Sequence, residues 1–401
     1  MIKRKDFSTI LNMFGDANVV YINGPRQCGK STLAMSIAEY LQMQYVTFDD
    51  YSVLAAAKHD PVSFVQNIKG DMTLDEIQLV PEIFRNLKIF VDEQRQKQGK
   101  IKLLLTGSAN ITALPGLSDA LVGRMQIRTL YPFSLTEFRD NDFIEQIFTR
   151  DFKEQNRQYI ISDLIKTATF PELSLAKKMN ASNWFDSYIT TLLSRDVRAL
   201  TSIEKSTDMF LMLKILAART GSLMNESSLA RDCNMNLMTF RRYRSLLENM
   251  FVIQRVFPWF RNVGKRFVKT AKNYFLDTCM LSYLSGTNVN TAQEENPVLF
   301  GHILENFVYT ELIKNVDKHT QLFHFRTTDG TEVDFVLEKN NGDIVGIEVK
   351  SSSMVSVTDF RGLKVLQIAT GSSFKCGIVL YLGKHVIPFG MDLYAVPIGA
   401  L

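Results

Sequence analysis

One stretch near the start of this chain leaves little freedom for the fold around it. Tyr21-Ile22-Asn23-Gly24-Pro25-Arg26-Gln27-Cys28-Gly29-Lys30-Ser31-Thr32 is a complete G-x-x-x-x-G-K-[ST] match. It follows a β-prone apolar run, Val19 to Ile22, and precedes a helical spacing of Leu33, Ile37 and Leu41. Strand, glycine-rich loop and helix in that order are what a phosphate-cradling loop requires, and the full context argues against a plain glycine turn. Gly24 and Gly29 supply backbone angles that bulkier residues resist. The loop amides can then turn inward around a polyphosphate, and the helix start adds partial positive charge. Gly24, Pro25, Arg26, Gln27, Cys28, Gly29, Lys30, Ser31 and Thr32 therefore form the expected ATP-binding segment. Lys30 is expected to reach the β- and γ-phosphates, and Ser31 to bind Mg²⁺. Arg26 is a weaker candidate for phosphate contact. At Cys28 a packed small residue is a better reading than a redox switch.

A chain of 401 residues has room for two or three domains, and its 46% apolar content suits well-formed cores. The net charge of +4 permits nucleic-acid binding without arguing for it. Cys28, Cys233, Cys279 and Cys376 lie far apart with no C-x-x-C spacing, which fits a reduced, cytoplasmic protein without a cysteine metal site. No apolar signal core follows Met1-Ile2-Lys3-Arg4-Lys5-Asp6, and no run approaches the length of a membrane span, so no membrane partner is expected.

After the loop, short β-prone runs (Tyr45–Phe48, Met72–Leu74, Lys102–Leu105, Met125–Thr129) alternate with helical stretches at Ser31–Tyr40 and Glu82–Gln96. That alternation predicts an α/β domain with a parallel sheet over residues 1–140, with ligands beyond the carboxyl ends of the strands. Met72-Thr73-Leu74-Asp75-Glu76-Ile77 ends a strand in two acids. In this position Asp75 would hold the Mg²⁺ of the nucleotide and Glu76 would polarise the attacking water. The next strand ends Thr106-Gly107-Ser108-Ala109-Asn110. Ser108 or Asn110, with Thr106 behind them, is the candidate to sense the γ-phosphate; a plain turn is the alternative. Arg124, after Gly123, is a candidate arginine finger in its own subunit or an oligomer, or else a surface arginine.

From about Thr136 the alternation stops. Residues 141–205 read as a helical region, as in Trp184, Tyr188, Leu192 and Leu193. Arg195, Asp196 and Arg198 just beyond fit a solvated helix end better than a nucleotide contact. Residues 206–270 read as helix, helix (Ser227–Asp232, capped by Ser227), short turn, helix (Met238–Met250) and a β-wing at Val252–Phe257: a winged helix-turn-helix pattern. Arg241, Arg242 and Arg244 fall largely off the inward face of the third helix and could meet DNA phosphates, with Lys265, Arg266, Lys269 and Lys272 extending a basic tract. Such modules also dock proteins.

In residues 271–401 three pieces stand in order: Glu305 on a helix, Asp334 on a strand, and Glu348 with Lys350 on the next strand. Period two puts Glu348 and Lys350 on one face, and the neighbouring strand can bring Asp334 beside them. Clustered carboxylates suit Mg²⁺, which would activate a water at a scissile phosphate while Lys350 orients it. These charges interrupt apolar runs, where an isolated charge is costly. The other reading is a buried salt bridge between Lys350 and one of the acids.

The order of these motifs resembles the prokaryotic AAA-type ATPases that carry a C-terminal restriction-endonuclease-like domain of unknown function. The resemblance runs nearly the full length: Gly24–Thr32, Thr73–Gln78, Leu105–Ser108, Gly123-Arg124, Phe170-Pro171-Glu172, Tyr188 to Asp196, Ala217 to Glu248, Tyr274-Phe275-Leu276-Asp277-Thr278, Leu304-Glu305-Asn306, Arg326 with Glu332–Phe335, and Ile347–Ser351. Cys279 stands where the family commonly has glycine, and Val333 where the nuclease signature has proline. The resemblance implies an ATPase core, a winged helix and a nuclease-like fold, with ATP and Mg²⁺ as cofactors. The leading expectation is an ATP-hydrolysing protein acting on DNA through a metal-dependent nuclease-like domain. The alternative is an ATP-driven switch or scaffold that recruits a protein partner, its nuclease-like domain silent.

Overall fold

The apolar run before the glycine loop forms strand β1 (Val19–Asn23), buried at every position. A strand without alternation fits only where helices cover both faces of a parallel sheet. In the computed structural model, which describes residues 2–96, 101–108, 123–139, 142–152, 159–176, 178–196, 206–266 and 269–401, β1 lies inside such a sheet. The other strands are β2 (Gln44–Thr47), β3 (Met72–Asp75), β4 (Leu103–Thr106) and β5 (Met125–Thr129). They run in the order β2-β3-β4-β1-β5 and every pairing is parallel. The helix Lys30–Leu41 and the N-terminal helix Asp6–Asp16 contribute Ile10, Leu33, Ala34 and Ile37 to a core with Val20, Ile22 and Leu104. The chain divides into two compact units, Met1–Pro132 with Leu247–Val252, and Phe133–Leu246 with Ile253–Leu401.

The parallel pairing sends every carboxyl end to one edge of the sheet. The glycine loop after β1, Asp75 and Glu76 at the end of β3, and Thr106–Ser108 at the end of β4 therefore share that edge. Strand β4 stands between β1 and β3. Arg124 precedes Met125, which pairs with Val19 at the opposite end of β1. A five-residue strand, about 16 Å at roughly 3.3 Å per residue, separates Arg124 from the glycine loop.

In the second unit the helices Ser206–Ala218, Glu226–Asp232 and Leu237–Asn249 form in the expected order. The middle helix starts a residue before Ser227, and its cap is Asn225, whose side chain accepts from the Ser228 amide at 3.1 Å. Strand β6 (Ile253–Val256) pairs antiparallel with β7 (Lys272–Phe275). The expected basic tract does not hold together on the surface. Lys265 and Lys269 are exposed, but Arg266 is buried against Glu338, and Lys272 is buried at the start of β7. On the third helix Arg241 and Arg242 are exposed; Arg241 binds Glu226 at 2.7 Å, and Arg244 also clasps that carboxylate.

The C-terminal sheet is mixed. Strands β8 (Thr320–Arg326), β9 (Glu332–Lys339) and β10 (Ile344–Val349) are antiparallel neighbours, while β11 (Phe374–Tyr381) joins β10 and β13 (Leu393–Pro397) in parallel, with β12 (Ile387–Pro388) at the edge. The helix Arg361–Thr370 lays Leu363 and Leu366 in the core with Val333, Val336 and Val379. The long helix Pro297–Asn315 is apolar around most of its circumference and correspondingly buried. Among the described residues no helix is long and apolar enough to cross a membrane. All four cysteines are free thiols.

Candidate nucleotide site and a second carboxylate cluster

The glycine loop shows why its glycines are needed. Gly24 has φ +145°, and a Cβ there would stand 2.1 Å from the Leu130 carbonyl oxygen. Gly29, at φ +96°, opens the Lys30–Leu41 helix with no side-chain cap, which leaves its first amides facing the loop. The loop is braced from behind by Arg4, whose guanidinium donates to the carbonyls of Cys28 at 2.7 Å and Tyr131 at 2.6 Å. Nothing in the spacing of the sequence marks Arg4 for this role. Cys28 is fully buried, donates to the Leu130 carbonyl at 3.3 Å, and burial first of all pushes its thiol pKa up. It is a packing residue of the loop.

Lys30 is buried, and its ammonium donates to the carbonyls of Gly24 at 3.1 Å and Pro25 at 2.7 Å. The Ser31 hydroxyl donates to Asp75 at 3.1 Å, and Thr47 on the neighbouring β2 donates to the other carboxylate oxygen at 3.4 Å. Thr106 completes this shell: its hydroxyl donates to Asp75 and accepts the Glu76 amide at 3.1 Å. Burial, then a hydrogen bond with Asp75, raises the Tyr45 phenol above its ordinary range. Among the described residues Asp75 thus has hydroxyl partners and no cationic one. That donor set fits Mg²⁺, which takes oxygen ligands and keeps waters.

Glu76 adopts φ +56° and ψ +42°, rare for a residue with a side chain. This left-handed step turns the chain away from β3 immediately after Asp75. Gln78 donates its amide both to the Glu76 carboxylate and to the Ser108 hydroxyl, the latter at 3.1 Å. The structure therefore brings together Lys30, Ser31, Asp75, Glu76 and Ser108. Thr106, ranked behind Ser108 by sequence, makes the more central contacts, and Gln78 was not singled out. Asn110 and Arg198, and the side chains of Arg195 and Asp196, lie outside the described residues. Arg26 is half-buried, Gln27 and Thr32 are exposed. Arg124 makes a two-pronged pair with Asp92, at 2.6 and 2.9 Å, at the far end of the sheet. It does not join the nucleotide cluster within this chain.

The second cluster gathers around Lys272, which in sequence continues the basic tract of Lys265, Arg266 and Lys269. Lys272, 3% exposed, donates from its ammonium to Glu305 at 3.0 Å and to Asp334 at 3.2 Å. Tyr274, two residues along β7, donates to the same Glu305 oxygen at 2.6 Å. Asn306 fixes β7 against the long helix by accepting from the Phe275 amide at 2.8 Å and donating to its carbonyl at 3.2 Å. On the sheet, Ile347 of β10 pairs with Phe335 of β9, so Glu348 and Asp334 are neighbours across the strands. The Val349 amide donates to Asp334 at 2.9 Å, and Lys350 donates to Glu348 at 2.8 Å. Among the described residues the second Glu348 oxygen, which is buried, has no hydrogen-bond partner.

Charge and burial account for the titration of this cluster. Burial, then the nearby Asp334 charge, lifts Glu305 to about 7 and Glu348 to about 8. Burial alone would lower Lys272, but Glu305 and Asp334 outweigh it and hold the ammonium above its ordinary range. Glu305, Asp334, Glu348 and Lys350 share one neighbourhood, yet among the described residues no group of three or more acids, histidines or cysteines is arranged to hold a metal ion. The residues do not fit Mg²⁺ in this arrangement, because an ammonium stands between two of the expected ligands.

With both sites in view, residues 16–139 match the family model described as AAA domain. The N-terminal unit is an AAA-type ATPase domain. Residues 158–291 and 300–401 match two further models, domains of unknown function DUF8612 and DUF4143. The chain is 29% identical to an uncharacterized protein of Mycobacterium tuberculosis, covering 99% of this chain and 84% of that one. It is 24% identical to an uncharacterized protein of Haemophilus influenzae, over 84% of each. Among solved structures, the Walker-type ATPase of Pyrococcus abyssi aligns over 71% of this chain and 96% of that one, at 12% identity and a TM-score of 0.42.

Proposed function

We propose that this chain hydrolyses ATP with Mg²⁺. The observation that carries the reading is the Lys30, Ser31, Asp75 and Glu76 constellation at one sheet edge, with hydroxyls rather than cations around Asp75. Lys30 would bind the β- and γ-phosphates, Ser31 and Asp75 would hold the metal, and Glu76, released from Gln78, would polarise the attacking water. Lys30→Ala should abolish stabilisation by ATP. Glu76→Gln should still bind ATP and turn over about 10²–10⁴-fold more slowly, the usual range for a general base. A wild-type turnover rate in Glu76→Gln would remove Glu76 from the mechanism.

The hydrolysis cycle would act on DNA through the helix Leu237–Asn249, which we take as the reading helix of a winged helix-turn-helix. The exposed Arg241 and Arg242 support this. Replacing Arg241, Arg242 and Arg244 together should weaken DNA binding and flatten its salt dependence by about one unit of log–log slope per lost phosphate contact. An unchanged slope would turn the helix into a protein-docking face. An oligomer would be needed for Arg124 to serve a neighbouring copy. The position of Lys272 favours a second reading for the C-terminal sheet: a nuclease-like domain that does not cleave, in a chain that works as an ATP-driven switch. Plasmid and linear DNA incubated with Mg²⁺ or Mn²⁺, with and without ATP, separates the two.

A further inference from the structure

Three carboxylates and two lysines meet in the second unit, and their division is unequal. Among the described residues Lys350 forms its ion pair with Glu348, at 2.8 Å. Lys272 serves Glu305 and Asp334 together, at 3.0 and 3.2 Å, from a strand that does not carry either acid. A magnesium ion shared by the same two oxygens would stand about 2.0–2.1 Å from each, in the volume the ammonium fills.

The lysine stands on a strand whose backbone is held on both sides. Strand β7 is hydrogen-bonded to β6 on one side. On the other, the Gly221 amide donates to Asn273 at 2.9 Å and the Met224 amide to Ala271 at 2.8 Å. The Glu305 carboxylate is confined as well: a Cβ at Gly221, whose φ is +72°, would lie 2.9 Å from its Oε2.

The cluster crosses a boundary that the family models draw. Lys272 and Tyr274 belong to the 158–291 match; Glu305, Asp334 and Glu348 belong to the 300–401 match. Neither segment alone holds the balanced site.

We propose that Lys272 is a built-in cation: its ammonium occupies the place of a divalent metal between Glu305 and Asp334, so that the wild-type chain takes no metal there and removal of the lysine opens a divalent-cation site. This deepens the silent-domain reading above and rests on it. A lysine supplied by the 158–291 segment thereby blocks a metal site whose ligands the 300–401 segment carries.

Mn²⁺ is the probe, added to the nucleotide-free full-length protein and counted by the loss of its free electron-paramagnetic signal. Lys272→Met keeps the apolar stem and removes the charge. It should bind one more Mn²⁺ than wild type, and the double variant Lys272→Met/Asp334→Asn should lose that extra ion. A folded Lys272→Met with no gain would overturn the proposal. A second measurement needs no change at Lys272. In tyrosine-labelled wild-type protein, the Tyr274 ring resonance, assigned through Tyr274→Phe, should stay sharp as Mn²⁺ is added. Selective broadening of Tyr274 would show a metal already in the cluster and would also overturn it. The two readings fail separately. Metal at Tyr274 without DNA cleavage sinks only the built-in cation, whereas metal-dependent cleavage lost in Asp334→Asn sinks the silent domain as well.

Discussion

The two units each place acids near a buried lysine, and they satisfy those acids in opposite ways. Around Asp75 the donors are neutral: Ser31, Thr47 and Thr106 supply hydroxyls, while the Lys30 ammonium is held by the carbonyls of Gly24 and Pro25. Around Glu305 and Asp334 the central donor is a charge, Lys272. A carboxylate satisfied by hydroxyls keeps its charge available to an incoming cation. A carboxylate already paired with an ammonium has little left to offer, and separating the pair is costly. The same residue types therefore make a site ready for a metal in one unit and a closed ionic cluster in the other.

The largest expected effect breaks that contrast from the closed side. Lys272→Ala leaves two buried acids facing each other without a cation, and loss of one partner from a buried pair typically costs about 3–5 kcal/mol. Ser31→Ala should cost only about 1 kcal/mol, because Asp75 keeps Thr47 and Thr106. Urea unfolding of both variants without nucleotide is the measurement. Equal losses would mean that the lysine contributes no more than a hydroxyl, and the contrast would fall.

A smaller effect sharpens the open side. Thr106 is fully buried, donates to Asp75 and accepts the Glu76 amide. Thr106→Val keeps the shape and leaves that amide without its acceptor, at about 1–3 kcal/mol. If the hydroxyl positions both acids, ATP turnover should fall about tenfold, since 1.36 kcal/mol of barrier corresponds to one decade. Turnover at the wild-type level in a destabilised variant would reduce Thr106 to a structural role.

Thr106 also marks where the sequence stops being legible. The glycine loop, the acid pair and the alternation of strands and helices are local patterns, and they placed the five parallel strands to within a residue or so at either end. The sheet order decides which strand end faces which, and it depends on pairing between distant segments. That is why Thr106, on the strand between β1 and β3, outranks Ser108 in the structure, and why Arg124 falls at the opposite edge. The same limit hid Lys272. In sequence it sits among Lys265, Arg266 and Lys269 and reads as part of a solvated basic tract; only the pairing of β7 with β6 and the long helix shows it to be interior. The acids were easier, because charges inside the apolar runs of β9 and β10 stand out. The helix cap at Asn225 rather than Ser227 is an error of the ordinary local kind, since both residue types cap well.

The smallest expected effect concerns protons. Glu348 is raised to about 8, by burial first and then by Asp334 on the adjacent strand, against the opposing pull of Lys350 and Lys272. A carboxyl whose folded pKa lies above its unfolded value binds a proton more tightly when folded. Its contribution to stability is complete below about 4.5 and is lost as pH rises through about 8. Glu305, lifted to about 7, adds a trend of the same sign, whereas buried His324, pushed down to about 3, loses stability as pH falls below its ordinary 6.5. Glu348→Gln removes one of these slopes and leaves the other two, because the amide mimics the protonated acid and does not titrate. The melting temperature of the variant should therefore gain on wild type steadily between about pH 5 and pH 8 and level off above that. Parallel melting curves across that range would mean that Glu348 is ionised throughout. Lys350 would then neutralise it as fully as Lys272 neutralises Asp334, and the cluster would be two ion pairs rather than one pair and a neutral acid.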